Sequence, residues 1–463
     1  MLKMVRASVR KRSPWVWICR LVVGCLVVQF GCTPDLNRPP NIILVSIDTL
    51  RADRVGRLGP DGKSITPNLD ALAAQSLVFE RAYSASNESL YSHAAMFTGR
   101  LPTTIAALDY RNFKILADTP TLAGALKAHG YATHAAVGGG HLSSEFGLDE
   151  GFDSYLVGDN FSGFRQTMPM AMQRLSVQAK QEDPFFLFIH SYDCHAPYIK
   201  PGPAGRVMTP GYDGRFLELA AVPMLYEQIY KEWYAPDFKP HLVKGAGEAD
   251  FISTVMFQAL IAHIEATPQD ERITLTDADR AFLVGTYDAA AMYADMWVGV
   301  LLRRMEELGL DENTVLMVVS DHGEELLDHG FFNHRAGLWD ENIQVPLMMR
   351  GPGIPSGTRS EPVSLMDVAS TLLARVQAPG PLEGLDLLDR TTIRPLIVSE
   401  GANGDLSARG AAATLIVPGG LSLDRPVPDL PPQGAMLMGA DGEALPWSAE
   451  VVRPMWEEIA ETR

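Results

Sequence analysis

Asn41-Ile-Ile-Leu-Val-Ser-Ile47, closed by Asp48, is an apolar run of buried-strand length, and its reading decides the fold class. Similar runs recur at Tyr131–Val137, Phe185-Phe-Leu-Phe-Ile189, Thr314-Val-Leu-Met-Val-Val319 and Val345-Pro-Leu-Met-Met349, with a shorter one at Leu77-Val-Phe79. Helical patterns fall between them. One follows Thr66-Pro67, and another spans Leu122–Ala128, after Thr119-Pro120 and before Gly130. Residues 276–307 form a long amphipathic helix ending at Gly309, and 364–377 another. Alternating strands and helices predict an α/β fold with a mostly parallel sheet covered by helices on both faces.

The chain has 463 residues, of which 46% are hydrophobic and 21% charged, ordinary values for a globular chain with a sizeable core. Collagen, coiled coil and wholesale disorder are excluded. Thirty-nine Lys and Arg against 56 Asp and Glu give a net charge of −17. So acidic a surface repels phosphate backbones and argues against a nucleic-acid partner. An anionic substrate must instead be held by local positive charge, from a metal or a few bases.

Residues 1–31 read as a targeting segment. Six bases and no acid accompany an apolar stretch, Leu21–Phe30, that is too short to span a bilayer, which takes about 20 residues. Gly31-Cys32 at its end resembles a bacterial lipoprotein signal, so the expectation is an exported protein, periplasmic or membrane-anchored through Cys32. Three of the four cysteines lie here, leaving Cys194 alone in the body and no disulfide framework. Residues 32–40 form a linker containing Arg38-Pro-Pro40, and 41–394 hold the alternation of strands and helices as one main domain. Within it, 200–275 fit poorly and read as an insertion or lid, while 395–463 read as a small β subdomain.

In open α/β sheets ligands sit at the carboxyl ends of the strands. Asp48 ends the first run, Asp321 and His322 follow 314–319, and His190 follows 185–189, with Asp193 and His195 just beyond. Carboxylates at two strand ends plus an imidazole are ligands for a divalent ion. Ser89 opens a helical stretch, Ser89–Thr98. There its hydroxyl either caps the helix or sits as a reactive oxygen among unpaired amides and the positive end of the dipole.

Asn41–Asp53, Thr66-Pro-Asn-Leu-Asp-Ala-Leu72, Ser92-His-Ala-Ala-Met-Phe-Thr-Gly-Arg100, His195-Ala-Pro-Tyr198, Ser320-Asp-His-Gly-Glu-Glu325 and Asn342–Gly353 together resemble the sulfatase family of the alkaline phosphatase superfamily. The likeness runs in order from about 41 to 390 and implies a large central sheet sandwiched by helices, with a small carboxyl-terminal sheet. It implies that Asp48, Asp321 and His322 bind one divalent cation (Ca²⁺, Mn²⁺ or Zn²⁺), with a second ion conceivable near Asp193 and His334. Ser89 falls on the nucleophile, and its oxygen would also touch the metal. His195 and His141 fall on ester-contacting positions, although Gly139 stands where family members carry a lysine. His93 replaces a signature arginine and is expected to join Ser89, His195 and His141 as a catalytic residue, and His334 or Arg335 lies where a late substrate-binding base is found. His329 reads as a ligand's partner.

The implied activity is metal-dependent hydrolysis of sulfate or phosphate esters, on a small anionic ester or a sulfated or phosphorylated glycan or lipid. Sulfatases carry Cys-x-Pro-x-Arg, or Ser in place of Cys, whose first residue matures to formylglycine. Ser89-Leu-Tyr-Ser-His93 lacks both Pro and Arg. A plain serine bearing sulfate has no aldehyde to re-form as it expels the group, whereas phosphoserine is open to attack at phosphorus. Transfer of a phospho-headgroup and an inactive binding protein are the alternative readings.

Overall fold

The computed structural model describes residues 38–105, 113–116, 118–196, 198, 276–329, 334–378, 380, 382–391, 394–401, 404–419, 435–439 and 442–462. The leader with Cys32, and the expected lid at 200–275, lie outside the described residues.

The strands are β1 (Asn41–Ile47), β2 (Leu77–Phe79), β3 (Ala82–Tyr83), β4 (Ala132–Val137), β5 (Ser154–Val157), β6 (Phe185–Ser191), β7 (Thr314–Val319), β8 (Gln344–Val345), β9 (Leu347–Arg350), β10 (Gly357–Arg359), β11 (Val363–Ser364), β12 (Ile397–Glu400), β13 (Leu406–Arg409), β14 (Ala413–Val417) and β15 (Met436–Gly439). The helices are α1 (Pro67–Ala73), α2 (Ser89–Thr98), α3 (Pro102–Ile105), α4 (Leu122–Ala128), α5 (Phe164–Gln178), α6 (Asp277–Glu307), α7 (Asp340–Ile343), α8 (Asp367–Arg375) and α9 (Ala449–Thr462). The central sheet has the order β10-β2-β9-β7-β1-β6-β4-β5. Every pair is parallel except those of β9, which runs against both neighbours.

β1 lies in the middle, in register with β6 (Ser46 beside His190) and with β7 (Ser46 beside Val319). All its residues are buried. The two-residue period divides them between two cores. Ile42 and Leu44, with Phe186, Phe188, Val315, Met317 and Val319, pack with α2, α4 and α8. Ile43, Val45 and Ile47, with Leu187, Ile189, Leu316 and Val318, pack with α1, α5 and α6. Helices on both faces explain why the central strands read as unbroken apolar runs.

The sequence expectations differ from the structure in three places. The expected strand 345–349 is split: Pro346, with no N–H to give a ladder, separates β8, in a small sheet β11-β3-β8, from β9 in the central one. The start of the expected helix 364–377 is taken by β11, and α8 begins at Asp367. The carboxyl-terminal segment holds the antiparallel sheet β12-β13-β14-β15, but it also ends in a helix, α9. Val452, Met455, Trp456 and Ile459 give α9 an i, i+3, i+4, i+7 stripe, buried in one core with Leu406, Leu415 and Val417 of that sheet. Ala85, Ala95 and Leu101 belong to the same core, so the far side of α2 rests on the small sheet.

Asp295 ties α6 to the start of α1. Its carboxylate accepts from the Leu69 amide (2.7 Å), the Asn68 amide (3.2 Å) and the Asn68 side chain (2.7 Å), filling donors that Thr66 does not cap. Asp295→Ala strands the buried Leu69 amide and the half-buried Asn68 donors and is expected to lower stability by about 1–3 kcal/mol in urea unfolding.

Candidate active site and metal centre

The period that sorts the core also builds the site. Continuing past Ile42, Leu44 and Ser46 on β1 leads to Asp48; Phe186 and Phe188 lead to His190; Val315, Met317 and Val319 lead to Asp321. Three adjacent parallel strands thus turn polar side chains toward α2 at their carboxyl ends. All three are fully buried. Thr49, at φ +58°, turns the chain so that its amide donates to Asp321 Oδ1 (3.1 Å), which also accepts the His322 amide (2.9 Å).

Asp48, Asp321 and His322 bring one ligand atom each within 4.8 Å of one another. Three observations show that these residues fit a cation. Asp48 Oδ1 and Asp321 Oδ2 are buried oxygens with no hydrogen-bond partner. Burial and the neighbouring Asp321 push Asp48 well above the usual carboxylate range; burial opposes ionisation of Asp321 too, but the imidazoles of His322, His93 and His190 hold it low. His322 donates its Nδ1–H to the Gly323 carbonyl (2.9 Å), which leaves Nε2 with a lone pair, the arrangement of a metal-binding histidine.

Ser89 is the first residue of α2, and its Oγ lies 3.2 Å from His322 Nε2. α2 is buried along its whole length. It is locked to the metal loop by Ser92, whose hydroxyl donates to the Asp321 carbonyl (2.6 Å). The hydroxyl therefore stands beside the triad at the positive end of a rigid helix.

An imidazole cluster lies next to this centre. The His322 and His334 rings are 4.4 Å apart, His334 and His195 5.4 Å, and Phe161 stands between His195 (5.3 Å) and His141 (5.8 Å). His195 donates Nδ1–H to the Ala196 carbonyl (2.7 Å), and burial lowers it to about 3; burial lowers His141 to about 4. Both are neutral at neutral pH. Arg335 Nε is 2.8 Å from the buried carboxylate of Glu88, and Arg335's charge helps depress both His141 and His334. His93 is more deeply placed than the sequence suggested. Its Nδ1–H donates to the Ser89 carbonyl (2.7 Å) and its Nε2 meets the Ser46 hydroxyl (2.9 Å), so it props the helix start from below.

Asp193 is not where a second ion would need it. Its carboxylate accepts from the Phe164 amide (2.8 Å) and the Ser191 hydroxyl (2.6 Å), capping the start of α5. Among the described residues Asp193 and His334 join no metal-binding group; the other such group is Glu325, His329 and Glu341, in which Glu325 already accepts the His329 Nδ1–H (2.8 Å). Sequence reasoning missed Glu88 and Glu324, the latter 3.2 Å from His334 Nδ1. Burial pushes Glu88 up to about 7 and Glu324 well above its usual range. The Glu-Ser pair at 88–89 and the Asp-His-Gly-Glu run at 321–324 were their only local signals.

The Sulfatase family model matches residues 40–378. An ulvan-active sulfatase from Formosa agariphila is 27% identical over 370 residues, covering 76% of this chain and 65% of the relative, just under two thirds of its length. The phosphonate monoester hydrolase of Agrobacterium radiobacter shares the fold, with a TM-score of 0.61 at 18% identity over 87% of this chain and 89% of that one. So does a protein solved with its substrate D-glucosamine-2-N,6-O-disulfate, with a TM-score of 0.64 at 17% identity over 92% of this chain and 97% of that one.

Two outcomes are expected. A divalent cation such as Mn²⁺ should raise the unfolding temperature, by the equivalent of about 2.7 kcal/mol at a hundredfold excess over Kd, and Asp48→Asn should abolish the shift. Because His195 and His141 lie below the ordinary 6.5, the unfolded chain binds protons that the folded one refuses, so stability is full above pH 6.5 and is lost as pH falls toward 4. Thermal unfolding across that window should show the slope, and His195→Gln should make it shallower.

Proposed function

The chain belongs to the sulfatase family, and on that footing we propose that it hydrolyses esters of sulfuric or phosphoric acid, with Ser89 as the attacking residue. The observation that carries the reading is a hydroxyl at the start of a buried helix, 3.2 Å from the imidazole of a triad whose two carboxylates each keep one unpartnered oxygen. An inactive binding protein has no physical use for that arrangement. Asp48, Asp321 and His322 would hold a single cation, and two carboxylates with one imidazole suit Mn²⁺, Ca²⁺ or Zn²⁺. When bound, it supplies a Lewis acid for the ester oxygens.

The protein's own groups account for the rest. In the serine form, the Ser89 oxygen bonds to phosphorus, the ester alcohol leaves with a proton, and water then releases the acid and restores the hydroxyl. His195, its Nδ1–H fixed on a carbonyl, offers Nε2 to accept and return the proton. Arg335 pairs with the anionic head of the substrate, as guanidinium does. The amides of the first turn of α2 face the developing negative charge.

We infer a sulfated sugar as substrate, in line with the ulvan-active relative and the neighbour solved with a glucosamine disulfate. A phosphate or phosphonate ester is favoured instead if Ser89 stays unmodified, since Leu90-Tyr-Ser-His93 lacks the Pro and Arg of a maturing site. Export, with Cys32 as an attachment point, completes the reading on the strength of the basic and apolar leader.

Mass spectrometry of the Ser89 peptide decides between the two esters: formylglycine goes with sulfate turnover, intact serine with phosphorus. Ser89→Ala should lower kcat on nitrophenyl sulfate and phosphate esters by at least about a thousandfold while leaving cation binding in place. Wild-type protein that turns over neither ester, nor any sulfated sugar, overturns the proposal.

A further inference from the structure

Two buried histidines stand behind the triad, and the proposed reaction uses neither. His190 lies at the end of β6, directly beside Ser46 of β1, and His93 projects from α2 toward the same place. Their rings meet edge to face, 5.0 Å apart at 83°, and both are fully buried. Their hydrogen bonds assign opposite tautomers. The Gly138 amide points at His190 Nδ1 (3.5 Å), so that nitrogen carries the lone pair and Nε2–H is left to donate to Asp48 Oδ2 (3.4 Å). His93 must carry its proton on Nδ1, since that nitrogen faces the Ser89 carbonyl at 2.7 Å; the same N–H lies 3.5 Å from Asp321 Oδ2, while Nε2 takes the Ser46 hydroxyl.

A carboxylate can rotate about its bond to Cβ and present either oxygen, or both, to a cation. Here the freedom is removed. Asp48 Oδ2 is engaged by His190, which leaves Oδ1 open; Asp321 Oδ1 is held by two backbone amides, which leaves Oδ2 open. We propose that His190 and His93 are positioning residues: His190 holds Asp48 Oδ2 so that Oδ1 is offered to the cation, and His93, its Nδ1–H directed at the Ser89 carbonyl and 3.5 Å from Asp321 Oδ2, ties the start of α2 to the oxygen that Asp321 offers. The inference rests on reading Asp48, Asp321 and His322 as the metal site.

The mirror-image tautomers give a test that bulk and burial alone cannot mimic. The amide nitrogen of glutamine sits near His Nε2, and that of asparagine near His Nδ1. His190→Gln should therefore hold Mn²⁺ within about threefold of wild type by calorimetry on apo protein, and His190→Asn should weaken it by about tenfold or more, as loss of a ligand's hydrogen-bond partner does. At position 93 the order reverses, with His93→Asn closer to wild type than His93→Gln. In wild-type apo protein labelled with ¹⁵N-histidine, ring shifts should report an Nε2–H tautomer for His190 and an Nδ1–H tautomer for His93; this reading holds even if a variant fails to fold. Equal metal affinity in all four variants, or the same tautomer at both positions, overturns the inference. A wild-type protein that binds no divalent cation overturns the metal site itself, while the tautomer result still stands apart.

Discussion

Two carboxylates, Asp48 and Asp321, are shut away from water at the ends of neighbouring parallel strands, each with a buried oxygen that has no hydrogen-bond partner. Burying one unpaired charge is costly, and burying two of the same sign side by side is worse. No described guanidinium or ammonium forms an ion pair with either one; His93, His190 and His322 stand beside them instead. A fold that maintains such a pair has tuned its interior for a cation, and much of the neighbouring structure follows from that need.

The rigidity of α2 is one consequence. It is sandwiched between the central sheet and the carboxyl-terminal sheet, its inner face in the core of β1, β6 and β7 and its outer face against the strands that α9 covers. A hydroxyl on a surface helix would wander relative to the triad. Here the bond from Ser92 to the Asp321 carbonyl, with Ser84 hydrogen-bonded to Ser92 at 2.7 Å, links the start of α2 and the Asp321–His322 loop into one body. The small terminal sheet thus holds the Ser89 hydroxyl in place by closing the far side of the helix.

The central strands, the helix at Ser89 and the triad were legible because each is written locally. Apolar runs of strand length end in Asp48 or just before Asp321, and parity carries the side chains to one face. What was hidden depends on partners far away in sequence. Pro346 moves a strand between sheets only because β3 is there to receive β8. Asp193 reads as a ligand until α5 brings its bare first-turn amide to it. His93 reads as a group that meets substrate until the Ser46 hydroxyl claims its outer nitrogen. Glu88 carries no pattern of its own, and its meaning depends on Arg335, almost 250 positions later. α9 was the exception: its stripe was present in the sequence, masked by the Gly and Pro of the preceding loops.

Charge also explains how a chain of net −17 can receive an anion. The long-range field opposes entry, so attraction has to come from groups within a few ångströms of the ester, where the low dielectric of a buried site strengthens them. The imidazoles contribute lone pairs and hydrogen-bond donors but little charge, because desolvation keeps them neutral. That leaves the metal centre and Arg335, and Arg335 is shared with the buried Glu88. A guanidinium already paired with a carboxylate offers less net attraction to a second anion than a free one does, but it is held in place at a lower entropic cost. On the proposed reading the substrate head would compete with Glu88 for it, and the site would be selective through geometry, rewarding an anion that reaches the triad and the guanidinium together over one that only approaches the surface.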